Sequence, residues 1–287
     1  MDWFNTFIVE PLSYDFMQRA LLVAILVGAV SAVLSCFLVL KGWSLMGDAI
    51  SHAVLPGIVI AYVIGLPIAL GAFAAGLFSA IGTGYLKDNS RIKEDTAMGI
   101  VFTGMFALGL VMFSRIETDQ HLSHILFGDM LGVTWGDLVE TAVIALGTLA
   151  IVLAKRRDFL LYAFDAQHAR AIGLPVRWLH YGLLALLSIT IVASLKAVGI
   201  ILVVAMLIAP GAIGFLLARR FEAMLAIAVA VAVGAGVLGT LISYAINGAT
   251  GPCIVLIQAA VFLVALLFAP GSGLLRRRAL PPASPLP

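Results

Sequence analysis

Charged side chains are scarce in this sequence, at 11% of 287 residues, where a soluble domain carries about a quarter. That scarcity excludes an ordinary water-soluble chain. Cysteine is nearly absent too: Cys36 and Cys253 are the two present, both inside apolar runs. They supply neither a disulfide framework nor a soft-metal cluster and read as small buried hydrophobes. No lysine stands in a Gly-Lys-Ser or Gly-Lys-Thr context, so this chain does not hydrolyse ATP at a phosphate-binding P-loop. His-Glu-x-x-His and Gly-x-Ser-x-Gly are missing as well, which removes the usual signatures of a zinc protease or a serine hydrolase. The first apolar run follows Glu10 and Asp15 instead of a basic region and has no clear small-residue cleavage site. It is therefore expected to be a retained span and not a removed signal peptide.

What is present is apolar length. Hydrophobic residues make up 62% of the chain and the mean hydropathy is +1.13, the composition of an all-α, polytopic transmembrane bundle. A span needs about 20 mostly apolar residues. Candidate spans are 16–40, 47–66, 68–86, 96–114, 133–154, 179–195, 197–218, 223–246 and 252–270. The run 179–195 is short and Lys196 interrupts its junction with the next, so the count is nine, or eight with a re-entrant piece. Placing Lys155, Arg156 and Arg157 in the cytoplasm also puts Lys87, Arg91, Lys93, Arg219, Arg220 and Arg276, Arg277 and Arg278 there, leaving mainly Arg115 and Lys196 outside. The N-terminus is then outside and the C-terminus inside. Residues 1–275 form the membrane domain, and 276–287 form a Pro-rich cytoplasmic tail expected to be disordered.

Gly and Ala recur within the spans, as in 71–76 and 234–236, where small residues let helices approach closely. Pro56 with Gly57, and Pro210 with Gly211, should kink or interrupt their spans. Such breaks can expose backbone groups along a transport path; a kink with no such role is the alternative. The outer loop 115–132 holds His121 and His124, three apart, which are candidates for a second metal site or a docking surface. The simpler reading is a solvated loop whose Leu122, Ile125 and Leu126 pack onto the bundle. Asp137 and Glu140 read as helix-start residues of the fifth span. In 155–178, the stretch 164–175 reads as a short helix opened near Asp165 and closed by Gly173, with Pro175 beyond. Small residues on one side suit docking into a groove of another protein, and a plain interfacial helix fits the composition equally well.

Asp48 and His52 stand apart from all of this. Four residues apart, they share one helical face, and a carboxylate beside an imidazole is half of a divalent-metal site. An Asp at a helix centre costs about 2.5–3.5 kcal/mol on insertion scales, so intramembrane acids are usually functional. The competing reading makes Asp48 a helix cap and His52 a hydrogen-bonding group within the bundle. One Asp and one His are too few ligands, but two copies across a dimer axis would supply two carboxylates and two imidazoles. That donor set suits Mn²⁺, Fe²⁺ or Zn²⁺ better than Cu(I), with selectivity left to geometry or to a delivery protein. Because an imidazole must be neutral to ligate, acidification should depress transport.

The segment 47–57, Gly-Asp-Ala-Ile-Ser-His-Ala-Val-Leu-Pro-Gly, resembles the signature of the integral-membrane subunits of bacterial ATP-binding-cassette importers for manganese, iron and zinc. The similarity runs from residues 34–42 through 165–175 to 199–203 and to Gly251 and Pro252, and leaves out the Pro-rich tail. The lead-in 41–47 is most like the subgroup for manganese and chelated iron. The resemblance implies an inner-membrane permease that forms a homodimer or a related heterodimer. It also implies two cytoplasmic ATPase subunits and an external metal-binding protein as partners, with lipid around the bundle and no nucleic acid. Nothing is bound permanently; the metal ion is cargo, with Asp48 and His52 as its ligands in the path, flanked by the kinks at Pro56, Gly57 and Pro210. The helix with Asp165, Ala169 and Gly173 would be the coupling helix that meets the ATPase, although 167–173 departs from the Glu-Ala-Ala-x-x-x-Gly pattern of many importers. An ion-coupled secondary transporter would need further intramembrane carboxylates, and an intramembrane metalloenzyme a base and an open coordination position. Neither requirement is met by residues that stand out here.

Overall fold

The structure, a computed structural model, describes residues 10–115, 128 and 130–269. After a single turn at Glu10–Leu12, the helices are α1 (Asp15–Lys41), α2 (Met46–Ala53), α3 (Leu55–Ile64), α4 (Ile68–Asn89) and α5 (Glu94–Phe113). They continue as α6 (Trp135–Ala154), α7 (Arg156–Phe164), α8 (Ala166–Ala171), α9 (Val176–Leu217), α10 (Phe221–Ile246) and α11 (Thr250–Phe268). The described residues contain no strand. His121, His124 and the Pro-rich tail, for which the sequence raised expectations, lie outside the described residues.

Nine segments among the described residues are long and apolar enough to cross a membrane, and α9 settles the count. It holds 42 residues, about 63 Å at 1.5 Å per residue, roughly twice a hydrocarbon layer of about 30 Å. It therefore comprises two spans, Val176–Leu195 and Ala197–Leu217. They meet near Gly199, whose φ of 74° and ψ of 167° lie outside the helical region. Glycine adopts such a φ without the Cβ clash that other residues meet. Gly128 also has positive φ, and its backbone lies directly against Val198 and Gly199, so the junction is packed.

Local signals account for the other ends. Gly42, at φ 76°, closes α1 by returning its N–H to the carbonyls of Leu38 and Val39, a left-handed C-terminal cap. A capping box opens α6: the Thr134 hydroxyl accepts from the Asp137 N–H at 3.2 Å and the Asp137 carboxylate from the Thr134 N–H at 3.4 Å. Within the bundle α1 is the most enclosed helix, with Val23, Val27, Leu34 and Phe37 buried. It meets α10 along a seam of small residues, where Gly28 lies against the Ala232 carbonyl and Gly236 against Ala24, the close approach that substitutes for hydrophobic driving force in lipid. Cys36 is buried in this seam's neighbourhood and Cys253 partly buried, both as free thiols. Large apolar side chains such as Phe78, Val143 and Leu256 are exposed on the outer faces, as a lipid-bathed surface requires.

Candidate functional site

The site begins at the turn between α1 and α2. Trp43 donates its N–H to Leu38 O at 2.8 Å, and its carbonyl accepts the Met46 N–H at 2.9 Å, so this turn sets where α2 starts. Asp48 falls in the first turn of α2 and His52 in the last, with the acid where the helix dipole favours a negative charge. His52 Nε2 lies 3.3 Å from Asp48 Oδ1. Asp48 does not cap the helix: the N-cap is Leu45, without a side-chain bond. His52 leans on two aromatic rings, Phe102 at 6.1 Å in a stacked arrangement and Phe106 at 5.0 Å edge-on. Its Nδ1 is buried with no hydrogen-bond partner among the described residues.

The pair is about a third exposed at Asp48 and a quarter at His52, so it opens onto the edge of the single chain. Among the described residues no third His, Cys, Asp or Glu joins it to form a metal-holding group. One carboxylate oxygen and one imidazole nitrogen bind a divalent ion weakly by themselves; a second copy of the pair would complete a four-ligand set of borderline hardness. Ser51 stiffens the platform by donating to Gly47 O at 2.7 Å.

Beyond His52 the hydrogen-bond ladder lapses at Val54, between α2 and α3, while the backbone there stays helical at φ −71° and ψ −20°. Pro56 has no N–H to give the carbonyl of His52, four residues back, so the helical ladder is interrupted there. Gly57 packs onto Gly71 of α4 so closely that a Cβ on either would collide with the other's carbonyl. Beside this crossing is an open groove of about 540 Å³ on the bundle surface, lined by apolar residues including Ile60, Leu70, Phe78 and Met105. Pro210 is placed differently. It is buried within α9, whose one non-helical residue is Gly199 and not Pro210. The Ser35 hydroxyl of α1 spans the spot, donating to Ile208 O at 3.2 Å and accepting the Gly211 N–H at 3.0 Å. Pro210 is thus buried where α9 packs on α1, with a hydroxyl bridge beside it.

The 164–175 segment folds as the sequence pattern predicts at its ends. Asp165 caps α8, its carboxylate accepting from the N–H groups of Gln167 at 2.9 Å and His168 at 2.8 Å. Gly173, at φ 87°, ends the segment, and Leu174 N–H returns to Ala169 O at 3.0 Å. Ala169, however, has no exposed surface: it faces this chain's own bundle and is not available to a partner. The exposed side of α8 carries Gln167, His168 and Arg170, flanked by Phe164 and Ile172.

Ser35, Gly71, Phe102 and Phe106 are the residues that sequence reasoning did not single out for the site. Gly71 lies in the small-residue run 71–76 and carried a packing signal. The aromatic rings sit in a uniformly apolar helix, where nothing in the pattern distinguishes them.

Residues 13–269 match the ABC 3 transport family. The chain is 65% identical over 268 residues to the chelated iron transport system membrane protein YfeD of Yersinia pestis, covering 93% of this chain and 90% of that protein. It is 50% identical over 268 residues to the manganese transport system membrane protein MntB of Synechocystis, covering 93% and 88%. Among solved structures, PsaBC from Streptococcus pneumoniae, in complex with Fab, superposes with a TM-score of 0.86 at 40% identity, covering 95% of this chain and 99% of that one. With the match running through all nine spans, from α1 to the end of α11, this chain belongs to the ABC 3 transport family as a multi-pass membrane subunit.

Proposed function

We propose that the chain is the inner-membrane permease subunit of an ATP-driven importer of divalent transition metals, Mn²⁺ or Fe²⁺ foremost and Zn²⁺ as a further candidate. The observation that carries this is the Asp48–His52 pair, two ligands in reach of one another at an open edge of the bundle. Membership of an ABC transport family favours drive by ATP over ion coupling, with hydrolysis in separate cytoplasmic ATPase subunits. The relatives named for chelated iron and manganese support the choice of cargo. A second permease, identical or related, supplies the other half of the ligand set, and an external metal-binding protein delivers the ion.

With the N-terminus outside and the C-terminus inside, α8 faces the cytoplasm and meets the ATPase. The contact falls to Gln167, His168, Arg170 and their apolar neighbours Phe164 and Ile172, while Asp165 and Gly173 shape the helix and Ala169 anchors it to the bundle. Asp48 and His52 then lie in the inner half of their span, with the break before Pro56 on their outward side.

The test is metal uptake into vesicles carrying permease, ATPase and binding protein. Asp48→Ala or His52→Ala should lower uptake at least tenfold, roughly the effect of disturbing a metal's ligand shell, with the complex assembled and the ATPase bound. Native uptake in both variants would sink the assignment. Competition among Mn²⁺, Fe²⁺ and Zn²⁺ in the same vesicles identifies the cargo.

A further inference from the structure

A cluster of aromatic and basic side chains sits between α8 and the metal pair, and neither the sequence pattern nor the site absorbs it. Tyr162 lies in the last turn of α7, and α7 passes directly into the Asp165 cap, with the Asp165 N–H bonded to Leu161 O at 2.9 Å. The Tyr162 hydroxyl is 2.8 Å from His180 Nδ1, in the first turns of α9. The His180 ring meets Trp43 edge-on, with centroids 5.1 Å apart. Lys41, at the end of α1, places Nζ 4.2 Å from the centre of the Tyr162 ring and 3.4 Å from the Tyr162 carbonyl. Trp43 and Tyr162 are both buried, so these contacts are held by packing on all sides. Trp43 is also the residue whose carbonyl accepts the Met46 N–H at the start of α2, two residues before Asp48.

These contacts join end to end. α8 is joined to α7 through Asp165, Tyr162 meets His180 and Lys41, and both of these reach Trp43. Trp43 in turn sets the first amide of the helix that bears Asp48 and His52. We propose that Tyr162 and His180 are positioning residues that link displacement of the 164–175 segment to the placement of the Asp48–His52 pair. This rests on the import function proposed above. An aromatic ring with a hydrogen-bonding tip suits the task, because its apolar body packs in the bundle while its hydroxyl makes one directional contact.

The test uses the reconstituted complex of permease, ATPase and binding protein, with metal uptake and ATP hydrolysis measured in the same vesicles. Tyr162→Phe keeps the ring beneath Lys41 and removes the bond to His180. Uptake per ATP hydrolysed should fall about fivefold, the scale of a modest coupling between sites, with the hydrolysis rate within about twofold of native. His180→Ala should behave alike, and the double variant no worse than either single one, as expected of two residues acting as one unit. His180→Asn, whose amide can replace Nδ1 toward Tyr162, should restore much of the ratio. A merely structural role would lower uptake and hydrolysis together by reducing assembled complex. An unchanged uptake-to-ATP ratio in Tyr162→Phe, alongside lost uptake in Asp48→Ala, overturns the linkage alone. Native uptake in Asp48→Ala overturns the site reading and the linkage with it.

Discussion

Two Pro-Gly pairs, Pro56 with Gly57 and Pro210 with Gly211, look alike in sequence and behave differently in the bundle. At the first, the ladder lapses at Val54 between α2 and α3 although the backbone stays helical, and an apolar surface groove of about 540 Å³ lies alongside. At the second, α9 continues to Leu217, and the Ser35 hydroxyl bridges Ile208 and Gly211 across the spot. A proline always removes one donor from the helical ladder. The neighbouring helices differ: a hydroxyl from α1 bridges one site, whereas the glycine backbones of Gly71 in α4 and Gly109 in α5 pack against the other. Both prolines are buried, but a polar bridge spans only the second.

The contrast between the pairs can be broken most severely at the Gly57–Gly71 crossing. Each residue's missing Cβ is filled by the other's backbone carbonyl, and neither backbone can give way locally. Gly57→Val should abolish recovery of folded protein, read as loss of the monodisperse peak in detergent size exclusion. Gly99→Ala, where nothing lies within 4 Å, is the matched control and should behave as native. A middle-sized effect is expected at the bridged pair: Ser35→Ala leaves the Gly211 N–H and Ile208 carbonyl without their hydroxyl partner, at a cost of about 1–3 kcal/mol. Denaturant unfolding in detergent measures it, and an unchanged midpoint would show that the seam is held by packing alone. The smallest effect belongs to Pro210→Ala, which restores an amide to an already helical segment. Stability should change by no more than about 1 kcal/mol and uptake should stay native; a large loss of uptake would make the two pairs functionally equivalent after all.

Much of the outline is legible from residues alone. Nine apolar runs become nine spans because a helix in lipid must be about 20 residues long and satisfy its own backbone. Asp165 and Gly173 mark the ends of a short helix because capping and left-handed closure are local chemistry. Asp48 and His52 meet because four residues bring side chains onto one face. What the residues alone did not carry is direction. Ala169, expected on a docking side, turns inward. On either side of Pro210, Ile208 and Gly211 meet the Ser35 hydroxyl, 173 residues away in sequence from the carbonyl it binds.

The sequence by itself determined the membrane class, the count of apolar runs, the short capped helix and the carboxylate–imidazole pair, all of which stem from length, composition or spacing within one or two turns. Only the tertiary structure decided which faces pack inward, which glycines touch, how Phe102 and Phe106 lie against His52, and that a hydroxyl meets one proline while glycine backbones meet the other. The physical reason is the solvent. In water, polar and apolar faces of a helix announce its orientation, but lipid is as apolar as the core, so a transmembrane helix carries little mark of which side is buried. That choice is made by the fit of backbones and small side chains far apart in the chain.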